Sequence, residues 1–177
     1  MKDYREQARK NGVVLINNGP CQFCGAPVTG GIDECMRLFA EVCGREFSDP
    51  DRGRVHLLTV DAHALQHSEI HAALNNPFHL LRLFLILEEG TSPSVATPYP
   101  LLGALFKDKS AWPPLTQPAP LQRGNVSIVE VFQARDAAEH QSRVKSYAAS
   151  VFDAWAGHHE WAIEALKTLR KDTRAGK

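Results

Sequence analysis

Four of the chain's eight histidines fall within one stretch, VHLLTVDAHALQHSEIHAAL, from Val55 to Leu74. Its apolar residues recur at helical spacing, so the stretch is expected to be a helix that turns about 100° per residue. His63 then lies about 20° to one side of His56 and His67 about 20° to the other, with His71 at the edge of the stripe. Leu58, Ala62 and Leu65 form an adjacent apolar face. A core stripe beside an imidazole stripe makes the helix pack by one face and carry histidines along its flank. That arrangement points to metal binding or proton handling.

The neighbouring segments are also helical in pattern. Residues 1–11 read as a short polar helix ended by Asn11-Gly12. Asp33 to Phe47 has Cys35, Met36, Phe39, Val42, Cys43 and Phe47 near helical spacing, and Ser48-Asp49-Pro50 ends it. Asn75-Asn76-Pro77 is expected to end the histidine helix. Phe78 to Glu89 is apolar nearly all round, as expected of a central bundle helix. Tyr99 to Phe106 reads as a short peripheral helix. Prolines 113, 114, 118 and 120 then exclude a continuous helix, and Trp112, Leu115 and Leu121 call for an ordered wrap rather than a linker. Ser127-Ile-Val-Glu130 matches a capping box for a helix from Ile128, with a strand over Val126 to Phe132 as the alternative. Asp136 to Lys171 reads as one long helix with Gly157 as its weak point.

These elements fit a mainly α, four-helix-bundle-like single domain over residues 1–177, a length that buries a real core. Residues 12–35 form a cysteine-containing knuckle, 33–89 and 128–171 the bundle, and 107–125 the Pro-rich wrap. Twenty acidic and twenty basic side chains cancel, which argues against nucleic acid as a partner. No apolar run approaches the roughly 18 residues of a spanning helix, so no membrane partner is expected. The polar start MKDYREQARKNG has no signal-peptide core, and a cytoplasmic location is expected. In that compartment Cys21, Cys24, Cys35 and Cys43 are thiols or ligands rather than disulfides.

The sharpest local motif is Cys21-x-x-Cys24-Gly25, set in the turn-rich NNGPCQFCGAPVTGG. A tight turn brings two thiolates together, and the glycine relieves the backbone behind the second. Zinc is the expected ion. The other two ligands could come from Cys35, Cys43 or a histidine; Cys35, at the start of the next helix, is the expected third and His56 the expected fourth. His63 and His67 stand at i, i+4, the spacing of a helical ligand pair. His56 and His67 lie roughly 16 Å apart along a continuous helix and cannot share an ion. A second divalent site could therefore draw on His63, His67, His158 and His159. In that case His67, His158 and His159 would line a bundle pocket as ligands or acid/base groups, with Asp61, Glu69 or Glu160 orienting the imidazoles or acting as a base, and Asp61 as the catalytic candidate among them.

CQFCGAP with the distant Cys35, SDPDRGRVHLLTVDAHALQHSE and VFDAWAGHHEW together resemble a bacterial family of unknown function. Its pattern is a C-P-x-C-G start, a V-H-x-L-T-V-D-x-Y-x-L-Q-H helix and a W-x-x-H-H ending. The resemblance picks out Cys21, Cys24, Cys35, His56, Asp61, Gln66, His67, Trp155, His158 and His159. Gln22 stands where the pattern has proline, and His63 where tyrosine is common. The resemblance implies no reaction. A looser architectural analogy is to DinB-type bundles, which hold a metal with histidines from different helices. Three functions remain open on the sequence. One is a metal-dependent enzyme with a small-molecule substrate, the second a non-catalytic zinc-stabilised scaffold, and the third a thiol-based redox or metal sensor.

Overall fold

The computed structural model describes residues 4–71, 75–92, 112 and 114–175, with side chains to 171. Among the described residues eight helices follow in order: α1 Tyr4–Lys10, α2 Gly31–Ser48, α3 Pro50–Gly53, α4 His56–Gln66, α5 Asn76–Leu87, α6 Ile128–Phe132, α7 Ala137–Ala154 and α8 His159–Ala175. Among the described residues there is no strand, and Gly19 and Gly30 form an isolated bridge. No described helix is long and apolar enough to cross a membrane.

Helix α4 is the centre, packed against α2, α5 and α7. Its apolar residues Leu57, Leu58, Ala62, Ala64 and Leu65 are buried, and so are the polar Thr59, Asp61, His63 and Gln66. The histidine flank is thus largely enclosed, with His56 half-buried at its start, and the buried polar groups on it call for protein partners. Asp61 accepts from His79 Nδ1 (2.8 Å) and Arg82 Nε (2.6 Å) on α5, and Arg82 Nη2 adds a further contact. Gln66 accepts from the Tyr147 hydroxyl on α7 (2.9 Å).

The histidine helix is shorter than its pattern. It ends at Gln66, because the His67 amide reaches both His63 O (3.1 Å) and Ala64 O (3.3 Å). The chain then tightens into a 3₁₀ turn, Ser68–Ile70, and Ser68 Oγ donates to Leu65 O. Asn76-Pro77 opens α5 instead of closing α4, which suits a proline whose missing N–H would have no partner in a first turn. Residues 72–74 lie outside the described residues. The long C-terminal helix is two helices. A 3₁₀ turn, Ala156–His158, separates α7 from α8 at the expected weak point, and α8 returns onto α5.

The capping box at Ser127 is formed. Its amide donates to Glu130 Oε2 (3.0 Å), and its side chain caps α6, so the helix prevails over the strand alternative. The expected helix at Tyr99–Phe106 and the wrap's residues 107–111 lie outside the described residues. From 114 to 125 the chain crosses the bundle without forming a helix. Trp112 stands edge-on to Trp161 of α8 (5.6 Å), and Leu115 is buried. Arg123 is buried and clamps the end of α4. It donates to Gln66 O (3.1 Å), to both oxygens of Glu69 (2.5 Å each) and to Pro118 O (2.7 Å).

Candidate metal centre

The knuckle is built by backbone geometry. Cys21 N donates to Ala26 O (3.0 Å) and Gly25 N to Cys21 O (2.9 Å), closing the Cys-x-x-Cys turn. Gly25 sits at φ +72°, the left-handed region that glycine enters without strain. Gln22 ties the turn to the preceding segment: its Oε1 accepts from Ile16 N (2.5 Å) and its Nε2 donates to Val14 O (2.9 Å). Gly31, at φ +57°, then starts α2 directly against this segment. A Cβ at Gly31 would lie 2.1 Å from Ile16 O. Close approach of the knuckle to α2 brings Cys35, in the second turn of α2, to Cys24, with sulfurs 3.8 Å apart.

The fourth member is His67. Its Nε2 lies 3.5 Å from Cys21 Sγ and 3.5 Å from Cys35 Sγ. The four donor atoms of Cys21, Cys24, Cys35 and His67 all lie within 4.8 Å of one another, and such a group could hold a metal ion. Cys21, Cys35 and His67 are buried, and Cys24 is half-buried. His67 Nδ1 donates to His63 O (2.8 Å), which fixes the tautomer and leaves Nε2 to face the thiols.

The charges in this group are tightly linked. Hydrogen bonds from Cys24 and Cys35 push the Cys21 thiol down against its burial. The same contacts, with Cys21 and Cys24 as partners, push Cys35 up. Burial disfavours an imidazolium at His67, but the Cys24 charge and the Cys21 contact outweigh it and push His67 up to about 10. The thiols therefore draw positive charge into a buried place.

His56, the expected fourth ligand, is at the opposite end of α4. The helix separates the two ends, and α2 places its own Glu46 under His56. His56 Nδ1 donates to Glu46 Oε2 (2.7 Å). Glu46 is buried and also takes hydrogen bonds from Thr59 Oγ1 (2.5 Å) and His140 Nε2 (2.9 Å) at Oε1. Burial would raise its carboxyl, but His140, His56 and Thr59 outweigh this and hold it below its ordinary range. Cys43 completes a second group, with donors also within 4.8 Å. Burial, then the Glu46 charge, pushes the Cys43 thiol up to about 12.

The remaining site candidates do not converge. His63 is stacked between Phe39 (3.8 Å) and the His67 ring (4.0 Å), and both its ring nitrogens are buried with no hydrogen-bond partner among the described residues. Burial, followed by the charges of His67 and His71, holds it well below its ordinary range, so it is a neutral spacer. His158 Nε2 donates to Thr116 O (2.7 Å) and fastens the wrap. His159 stacks on Phe152 (3.9 Å) and donates to Phe152 O (3.1 Å), at the joint between α7 and α8. Neither meets His67. Asp61 lies under Arg82 and His79. Sequence reasoning passed over Glu46 and Arg123. Glu46 left a signal: with Phe39 and Val42 it marks i, i+3, i+7, an acidic residue on a core stripe.

A cleft of ≈ 520 Å³ opens beside these groups, lined among others by Met36, Phe39, Cys43, Phe47, His56 and His71. Residues 19–156 match the model described as "Family of unknown function (DUF5946)". No curated protein and no solved structure matches the chain. The matched span holds Cys21, Cys24, Cys35 and His67 as well as Cys43, Glu46 and His56, and ends before His158 and His159. The match covers well over half of the chain, and the protein belongs to this family of unknown function, DUF5946.

Proposed function

We propose that Cys21, Cys24, Cys35 and His67 hold one zinc ion in a closed structural site, and that the protein is a zinc-stabilised helical scaffold. The spacing of the donors carries this reading. A tetrahedral ion with Zn–S bonds of about 2.3 Å and a Zn–N bond of about 2.0 Å sets edges of about 3.8 Å between sulfurs and about 3.5 Å from sulfur to nitrogen. The donor separations are 3.8 Å from Cys24 to Cys35 and 3.5 Å from His67 to both Cys21 and Cys35. Three thiolates and an imidazole are the donor set that zinc takes in structural sites. Four protein donors leave no position for a substrate or a water. The ion would join the knuckle, α2 and the end of α4, three elements separated in sequence.

The test is zinc per chain and thermal unfolding of the untagged protein, for wild type, Cys24→Ser and His67→Ala. Cys24→Ser is expected to lose the zinc and to melt about 10 °C lower or more, since each kcal/mol is worth about 2–4 °C at this size. Retention of both zinc and melting temperature in the two variants would sink the proposal.

A further inference from the structure

We propose that Cys43, Glu46 and His56 form a second site, for a divalent transition-metal ion with a free coordination position facing the cleft. The proposal shares no ligand with the first site and does not rest on it. Cys43 and Glu46 are three residues apart on α2 and so project from the same side of the helix. His56, the first residue of α4, meets them across the α2–α4 packing, and the three donor atoms lie within 4.8 Å of one another.

Glu46 is the reason to expect a cation here. It is a buried carboxylate whose charged partners are the imidazoles of His56 and His140, and among the described residues no lysine or arginine pairs with it. A buried carboxylate whose counter-charge depends on protonated histidines is costly, and a divalent cation supplies that charge outright. Thr59 and His140 hold Oε1, so the carboxylate is oriented from behind as a metal-bound carboxylate is. Oε2 is left to His56 and to the ion. On loading, the Cys43 thiol releases its proton to solvent and the His56 imidazole carries its proton on Nε2. A thiolate and a carboxylate then balance a divalent charge. Sulfur, nitrogen and oxygen donors together suit ions of the zinc, cobalt(II) and iron(II) class. Cys43 and His56 also line the cleft of ≈ 520 Å³. Three protein ligands beside an open cleft is the arrangement that keeps a position for water or a small ligand. A nucleophilic role for Cys43 is less favoured, because the carboxylate beside it opposes a thiolate until a cation is present.

The experiment uses the full chain loaded with one equivalent of zinc and then titrated with cobalt(II), followed by thiolate-to-cobalt charge-transfer absorption. Wild type is expected to take up one cobalt per chain. Cys43→Ser and His56→Gln are expected to lose that band and keep the zinc and the melting temperature. No cobalt band beyond the zinc, or a band that survives in both variants, would overturn the proposal. Equal alkylation of Cys43 by iodoacetamide with and without cobalt would also overturn it. If instead the zinc reading fails, cobalt fills the other site, and its band is lost in Cys24→Ser and kept in Cys43→Ser.

Discussion

Asp61 illustrates how a residue that looks catalytic can be structural. Its carboxylate holds the buried Arg82 guanidinium and His79. Removing the charge strands Arg82 in the core, and breaking a buried pair from one side costs about 3–5 kcal/mol. Asp61→Asn is therefore expected to lose that much stability in urea unfolding, and a loss under about 1 kcal/mol would contradict this role. His71 gives a pH dependence. Burial first, then the charges of His79 and His67, push it down to about 4. Between pH 6.5 and about 4 the unfolded chain binds a proton here that the folded chain does not. Stability therefore falls as pH drops through that window, by up to about 3 kcal/mol from this group, and no further below it. The difference between wild type and His71→Asn across the window isolates this contribution from acid loss of metal.

Among the elements, the seating of the knuckle on α2 turns on the close approach of Gly31 to Ile16. Gly31→Ala puts a Cβ 2.1 Å from Ile16 O at a positive φ. The expected cost is about 3 kcal/mol or more, with weaker zinc retention, measured by thermal unfolding and chelator competition. Gly12→Ala has the same sign of φ and open space, so about 1 kcal/mol is expected there. The helices and the cysteine knuckle were legible in the sequence because turn formers and apolar periodicity are local signals. The fourth member of the cysteine group was not. Spacing along α4 showed that only one of His56 and His67 could share an ion with the cysteines, but which one depends on how α2 packs against α4. That packing places Glu46 under His56 and the knuckle at His67. The bundle pocket expected from His67, His158 and His159 depended on the C-terminal helix facing α4 at that point. The turn at Ala156–His158 gives His158 to the wrap and His159 to Phe152 instead.

Across the whole molecule, a buried polar spine runs along α4, anchored by its surroundings. The middle is fixed by Arg82 on Asp61, and the C-terminal end meets the cysteines through His67, α7 through the Tyr147–Gln66 hydrogen bond and the wrap through Arg123. Arg123→Ala removes four hydrogen bonds to Gln66, Glu69 and Pro118. It is expected to free the wrap, seen as faster proteolysis and amide exchange within residues 114–125 while the helices stay protected. Equal protection of the wrap in variant and wild type would contradict that anchoring. The proposed coordination of the first ion can be read out by X-ray absorption at the zinc edge. In Cys43→Ser, which silences the second site, the account expects three sulfur neighbours at about 2.3 Å and one nitrogen at about 2.0 Å. Two or fewer sulfurs, or a bound water in the shell, would contradict it.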